Sequence, residues 1–228
     1  MAADRNHIRE WWRTLLTPDR AGRSISSDAK LDRLDASVLA IVCMMYCCYG
    51  ISMGMPRGAL PAVVSGLKLP LLYVFTLLVC FPPFYVLNNF LGPRLSGIGC
   101  LRLLLLATSA NSVAIFSYAP VSYFFTLTTS SIALSGYRFL VIMHVAVFAV
   151  AGGLSLVIIH VLFRAASHQL NRPLRSSFLV MFGGVYAFVG TQMSWVLRPW
   201  IGSWAIDYQP LRPIEGSFIE SIFRLTGL

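Results

Sequence analysis

Residues 36–55 read ASVLAIVCMMYCCYGISMGM, twenty residues without a charge, halted by Pro56. At ~1.5 Å of rise per residue, such a run makes a helix ~30 Å long, the thickness of a bilayer's hydrocarbon core. Four more apolar runs follow: 69–91, opened by Lys68 and closed by Gly92-Pro93; 103–127; 138–163; and 177–197. Hydrophobic residues make up 57% of the 228-residue chain and charged residues 12%. A soluble domain is about 25% charged, so this chain lacks the charge to coat a water-facing surface. Mean hydropathy is +0.70. Intrinsic disorder, a coiled coil and an ordinary soluble enzyme are excluded. The expected fold is all-α: a polytopic transmembrane helical bundle of about five spans.

Two runs need closer reading. Pro82-Pro83 lies inside the second and is expected to kink it, because proline removes a backbone donor and clashes with the preceding turn. The third, from Leu103, reads as one span bent at Pro120, with Thr128–Tyr137 as the following loop. Breaking it at Ala119-Pro120 instead gives two short spans and six in all. The second of these would be ~24 Å long, short for a crossing. Residues 164–176, with three Arg, read as the loop before the last span.

The charges have a pattern of their own. Residues 1–35 carry seven Lys/Arg and six Asp/Glu; between Ala36 and Ile206 all nine charges are Lys or Arg. A carboxylate at a helix centre costs roughly 2.5–3.5 kcal/mol on insertion scales, so its absence suits a lipid-spanning bundle. It also leaves no acidic group for a midplane proton or cation relay. The net charge of +9 therefore reflects membrane topology, and no nucleic-acid partner is expected. The positive-inside rule puts the N-terminus in the cytoplasm for five spans or six. Arg102 and Arg138 begin their spans and are expected to snorkel to the headgroups.

The chain divides into a cytoplasmic N-terminal arm (1–35), the bundle (36–199) and a C-terminal tail (200–228). In the arm, Ile8, Trp11, Trp12, Leu15 and Leu16 recur at one-face helical spacing, and Pro18 ends the pattern. Two Trp beside Arg predict an amphipathic helix lying in the headgroup layer. Residues 19–34 read as a polar linker. In the tail, Phe218, Ile222 and Leu225 share a face of a second short amphipathic helix.

The candidate site residues fall into three groups. Gly50, Gly54, Ala149 and Gly153 are small residues at four-residue spacing, which lets helix backbones approach closely, within the bundle or between copies. Trp11, Trp12, Trp195, Arg198 and Trp200 are interface anchors, ring and guanidinium together fixing a helix at the headgroup layer. Thr108, Asn111, Ser112, His144 and Gln192 are polar groups within apolar runs. They must find hydrogen-bond partners across helices or line a watery path. Asn88 and Asn89 raise the same question.

Chemistry-bearing motifs are missing from the sequence. It holds no phosphate-cradling glycine loop, no zinc-binding H-E-x-x-H, no G-x-S-x-G elbow and no cofactor fingerprint. Five cysteines without metal spacing read as reduced packing residues. The first apolar run begins too far in for a signal peptide. The expected role is non-catalytic: a membrane scaffold or accessory subunit that packs on other membrane proteins or on itself. The alternative is a pore or channel subunit lined by Thr108, Asn111 and Ser112. A lipid-modifying enzyme using His144 or His160 ranks third, for want of a partner nucleophile.

Two stretches, Lys68-Leu69-Pro70-Leu71-Leu72 through Phe81-Pro82-Pro83-Phe84 to Leu91-Gly92, and Gln192 to Gly202, resemble uncharacterised bacterial multi-pass membrane proteins. The overall layout, a polar arm followed by about five spans, is similar to Yip1-type proteins. The resemblance implies a bacterial inner membrane and carries over no catalytic residue.

Overall fold

The computed structural model describes residues 13–14, 16–27, 33–55, 58–129, 134–170 and 176–197. Among these every regular element is a helix: α1 (Pro18–Ser26), α2 (Arg33–Gly54), α3 (Ala59–Leu91), α4 (Gly97–Ser117), α5 (Ala119–Thr128), α6 (Leu134–Gln169) and α7 (Ser176–Leu197). Five stretches are long and apolar enough to cross a membrane: 35–54, 59–91, 97–128, 138–169 and 177–194. The protein is a multi-pass membrane protein of the all-α class.

The third crossing is one run, 97–128. α4 and α5 meet at Tyr118, which has helical backbone angles and caps one helix while opening the next, just before Pro120. Several boundaries differ from the sequence reading. α3 begins at Ala59 rather than Leu69. Lys68 does not stop a helix, and Pro61 stands in the first turn, where a missing N–H leaves no bond unmade. The helix also runs on through Pro70, Pro82 and Pro83. α6 starts at Leu134, inside the expected loop, and continues to Gln169.

The segment taken for a linker forms α1. Pro18 opens this helix rather than only ending the preceding pattern, with Asp19 in its first turn; a proline suits both places, since it fixes φ and needs no hydrogen bond at a helix start. α1 buries Ala21, Gly22 and Ile25. A Cβ on Gly22 would lie 3.0 Å from the Ala165 carbonyl of α6, and one on Gly99 of α4 would strike the Ile25 carbonyl. Small residues on both sides thus seat α1 between the start of α4 and the end of α6. The amphipathic pattern over 6–16 and the tail helix lie almost wholly outside the described residues.

α4 is the central post. Its crossing is 72% buried, against 17–39% for the others. α2 packs on α3, α4 and α5; α6 packs on α4 and α1; α7 leans on α3 and barely touches α6. α2 and α3 approach most closely through small residues. A Cβ on Gly50 would strike the Ser65 carbonyl, one on Gly54 the Pro61 carbonyl, and one on Gly66 the Ile51 side chain. The Gly50–Gly54 step therefore meets Pro61, Ala62, Ser65 and Gly66 inside the bundle, where close backbone approach gains dispersion contact.

Asn88 closes the turn between α3 and α4. Its buried amide donates to the Leu95 carbonyl at 3.0 Å and accepts from the Leu95 N–H at 3.1 Å. Ser96 then caps α4 by accepting from the Gly99 N–H, as N-cap serines do. Beside this turn Phe84 of α3 meets Phe163, Phe178 and Phe182 edge-on, and Phe163 stacks on Phe178 at 4.4 Å. These rings join α3, α6 and α7 at the end of the bundle that holds α1.

Candidate functional site

Three levels of buried polar contacts run down the bundle, the first two of them on α4. At the N-terminal end, Arg102 is only 7% exposed. Its Nε and Nη2 both donate to Asp35 Oδ2 at 3.3 Å, and its Nη1 donates to the Ser24 carbonyl and to Ser27 Oγ. One guanidinium thus ties α1, α2 and α4 together. This corrects the expectation that Arg102 snorkels to the headgroups: a carboxylate and a carbonyl within reach hold it inside. A cavity of about 40 Å³ adjoins the pair, lined by Thr14, Ser24, Asp35, Val38, Arg102, Leu105 and Leu106. That is room for a few waters.

At mid-depth the Tyr46 hydroxyl donates to Asn111 Oδ1 at 2.9 Å, with the Thr108 carbonyl also at 3.1 Å. Asn111 Nδ2 donates to Ser155 Oγ at 2.8 Å, and Ser155 donates to the Ala151 carbonyl. The amide therefore links α2, α4 and α6. Tyr73 of α3 stacks on the Tyr46 ring at 3.9 Å. Toward the far end, Tyr49 Oη and His144 Nδ1 share a hydrogen bond of 2.7 Å. His144 is fully buried, and among the described residues its Nε2 has no partner.

The candidate polar path is thus partly assembled. Asn111 and His144 face the same interior, each bonded to a tyrosine of α2. Thr108 and Ser112 turn their hydroxyls back on their own helix, to the Leu104 and Ser109 carbonyls, with Met45 Sδ 3.6 Å from Ser112. Gln192 is half-buried on α7, away from the others. Asn89 likewise bonds the Tyr85 carbonyl of its own helix. Of the small residues, Gly50 and Gly54 face α3. Ala149 and Gly153 are exposed on α6, and a Cβ on Gly153 would meet nothing within 4 Å. Trp195 lies in α7 with its side chain outside the described residues; Trp11, Trp12, Arg198 and Trp200 also fall outside them.

Sequence reasoning missed Asp35, Tyr46, Tyr49 and Ser155. One signal was present: Asp35 is the last acid before the apolar stretches and Arg102 the first base of the third. Two opposite charges at one end of the bundle satisfy each other more readily than either does alone. The chemistry on display is that of joints: each level spans at least two helices, and among the described residues no cluster of His, Cys, Asp or Glu could hold a metal ion. Comparison with protein-family models, with curated proteins and with solved structures gives no match.

Proposed function

We propose that this multi-pass membrane protein is a non-catalytic scaffold or accessory subunit that packs on other membrane proteins or on a second copy of itself. The observation that carries the reading is the contrast between inside and outside. The interior amides and tyrosines are engaged in joints between helices. The outer faces of α6 and α7 are apolar and uncovered: Val150, Leu154, Val157, Val180, Met181 and Phe188 are all more than 40% exposed, and beside them Gly153 offers a flat approach for another helix. The bundle end that holds α1 carries exposed Arg13, Arg20, Arg23, Arg94 and Arg164, which supports placing the N-terminus in the cytoplasm. Native mass spectrometry of the full chain, extracted in mild detergent, tests the proposal. A homo-oligomer or a defined set of co-purifying subunits, weakened in Gly153→Leu, is expected. A strictly monomeric protein with nothing bound would count against it.

A further inference from the structure

We infer that the α1 end of the bundle is a binding surface for anionic phospholipid headgroups, built by Arg20, Arg23, Arg94 and Arg164. This does not rest on the scaffold reading. All four side chains are exposed, and none pairs with a carboxylate among the described residues.

They converge from three elements. Gly22 of α1 abuts the Ala165 backbone, so Arg23 and Arg164 flank one close contact. The Phe163 ring lies 2.9 Å from where a Gly92 Cβ would stand, so Arg94 and Arg164 flank another. Arg20 is three residues before Arg23, on the same face of α1. Asp19 is the exposed acid nearby.

Depth fits as well. Arg138 and Arg164, both exposed on α6, are separated by ~39 Å of helix at ~1.5 Å per residue. With a hydrocarbon core of ~30 Å, both ends of that stretch reach the headgroups. Arg164, and the arginines around it, therefore stand at phosphate level. A guanidinium meets a phosphate with two parallel hydrogen bonds.

Arg94 adds an independent sign. It is the one non-glycine described residue with positive φ, +60°, a conformation that costs an L-residue of order 1 kcal/mol or more. The hairpin tolerates this cost while keeping Arg94 exposed at the α1 end of the bundle.

The test uses the full chain in nanodiscs and in detergent. Wild type is expected to prefer phosphatidylglycerol over phosphatidylcholine, read as retained lipid by native mass spectrometry and as a higher melting temperature. Each arginine should contribute about fivefold to the preference. The triple variant R23Q/R94Q/R164Q should lose most of it, the corresponding triple lysine variant should keep part of it, and Arg138→Gln, a single cation at the other headgroup layer, should cost no more than one arginine's share. If the triple glutamine variant does not fold, R94Q and R164Q singly carry the same readout. Equal retention of the two lipids by wild type, or an unchanged preference in the variants, overturns the proposal. So does an equal stabilisation by inorganic phosphate, which would mark a soluble-anion site.

Discussion

Arg102 on the central helix and Asp35 at the head of α2 are 67 residues apart in sequence and meet at 3.3 Å, with the arginine 7% exposed. The pair is more than an ion pair, because the same guanidinium holds the Ser24 carbonyl and the Ser27 hydroxyl. Removing the arginine takes the countercharge from a largely buried carboxylate and frees the C-terminal turn of α1. Arg102→Met is expected to destabilise the protein toward the lower end of the ~3–5 kcal/mol seen for broken buried pairs. Asp35→Asn should cost less, because the contacts to α1 survive. Hydrogen exchange separates the two: amides of 18–26 should lose protection in Arg102→Met and keep most of it in Asp35→Asn. Equal loss in both would mean that Arg102 does not hold α1.

Asn88 imitates a backbone strand by pairing both ways with Leu95. Asn88→Ala removes two buried hydrogen bonds, leaves the Leu95 N–H unmet and leaves its carbonyl only the weak Cys100 thiol at 4.0 Å, an expected loss of about 2–3 kcal/mol. Asn88→Asp should be no better, since a carboxylate still accepts from the N–H but repels the carbonyl. Equilibrium unfolding of both variants in mixed detergent checks this. An Asp variant close to wild type would show that the turn is held by other groups.

The two glycine steps should part company on substitution. Gly54→Leu places a side chain into the Pro61 carbonyl, and backbone cannot yield as a flexible side chain can. It should abolish a monodisperse, folded product. Gly153→Leu meets open space and should leave unfolding unchanged while weakening any assembly. Size-exclusion profiles and melting curves read both. A well-folded Gly54→Leu protein would remove the close α2–α3 contact from the account of stability.

Tyr46, Asn111 and Ser155 form one chain of donors and acceptors. Hydrogen bonds between membrane helices average about 0.6 kcal/mol and reach ~1.7. Tyr46→Phe should fall near the average. Asn111→Leu, which breaks links on both sides, should approach the upper value. The double variant should cost little more than Asn111→Leu alone, the mark of residues in one network. Additive costs would show that the two side chains act separately.

The spans were legible because composition alone marks a lipid-crossing helix, and the amide of Asn111 was legible as a group that must find a partner. Its partners were not: Tyr46 and Ser155 lie on other helices, and nothing in the apolar pattern of α2 or α6 sets them apart. α1 was hidden for a different reason. It is only nine residues long and polar on average, and its buried face is just Ala21, Gly22 and Ile25, so beside the long apolar runs its one-sided pattern passes for a polar linker. Lys68 reads as the residue that opens the second run, yet α3 begins nine residues earlier at Ala59 and passes through it, since a lysine stem can lie along apolar surface and lift its charge outward. The Gly50–Gly54 step was readable as a packing face, but only the fold shows that the occupant is the start of α3.

Arg94 allows stability and lipid preference to be separated in one position. Its φ of +60° suits glycine, which adopts that region without a Cβ penalty. Arg94→Gly should therefore raise stability in phosphatidylcholine by up to ~1 kcal/mol, the gain from relieved strain less the added freedom of the unfolded chain. Arg94→Gln keeps a Cβ in the strained conformation and should leave stability there unchanged. Both variants lose the guanidinium, so both should reduce the preference for phosphatidylglycerol by about fivefold. Opposite signs for Arg94→Gly in the two readouts, melting temperature in neutral lipid and lipid retention in anionic lipid, are the expected result. A loss of stability in neutral lipid would show that the arginine, rather than the turn geometry, is what holds the hairpin together.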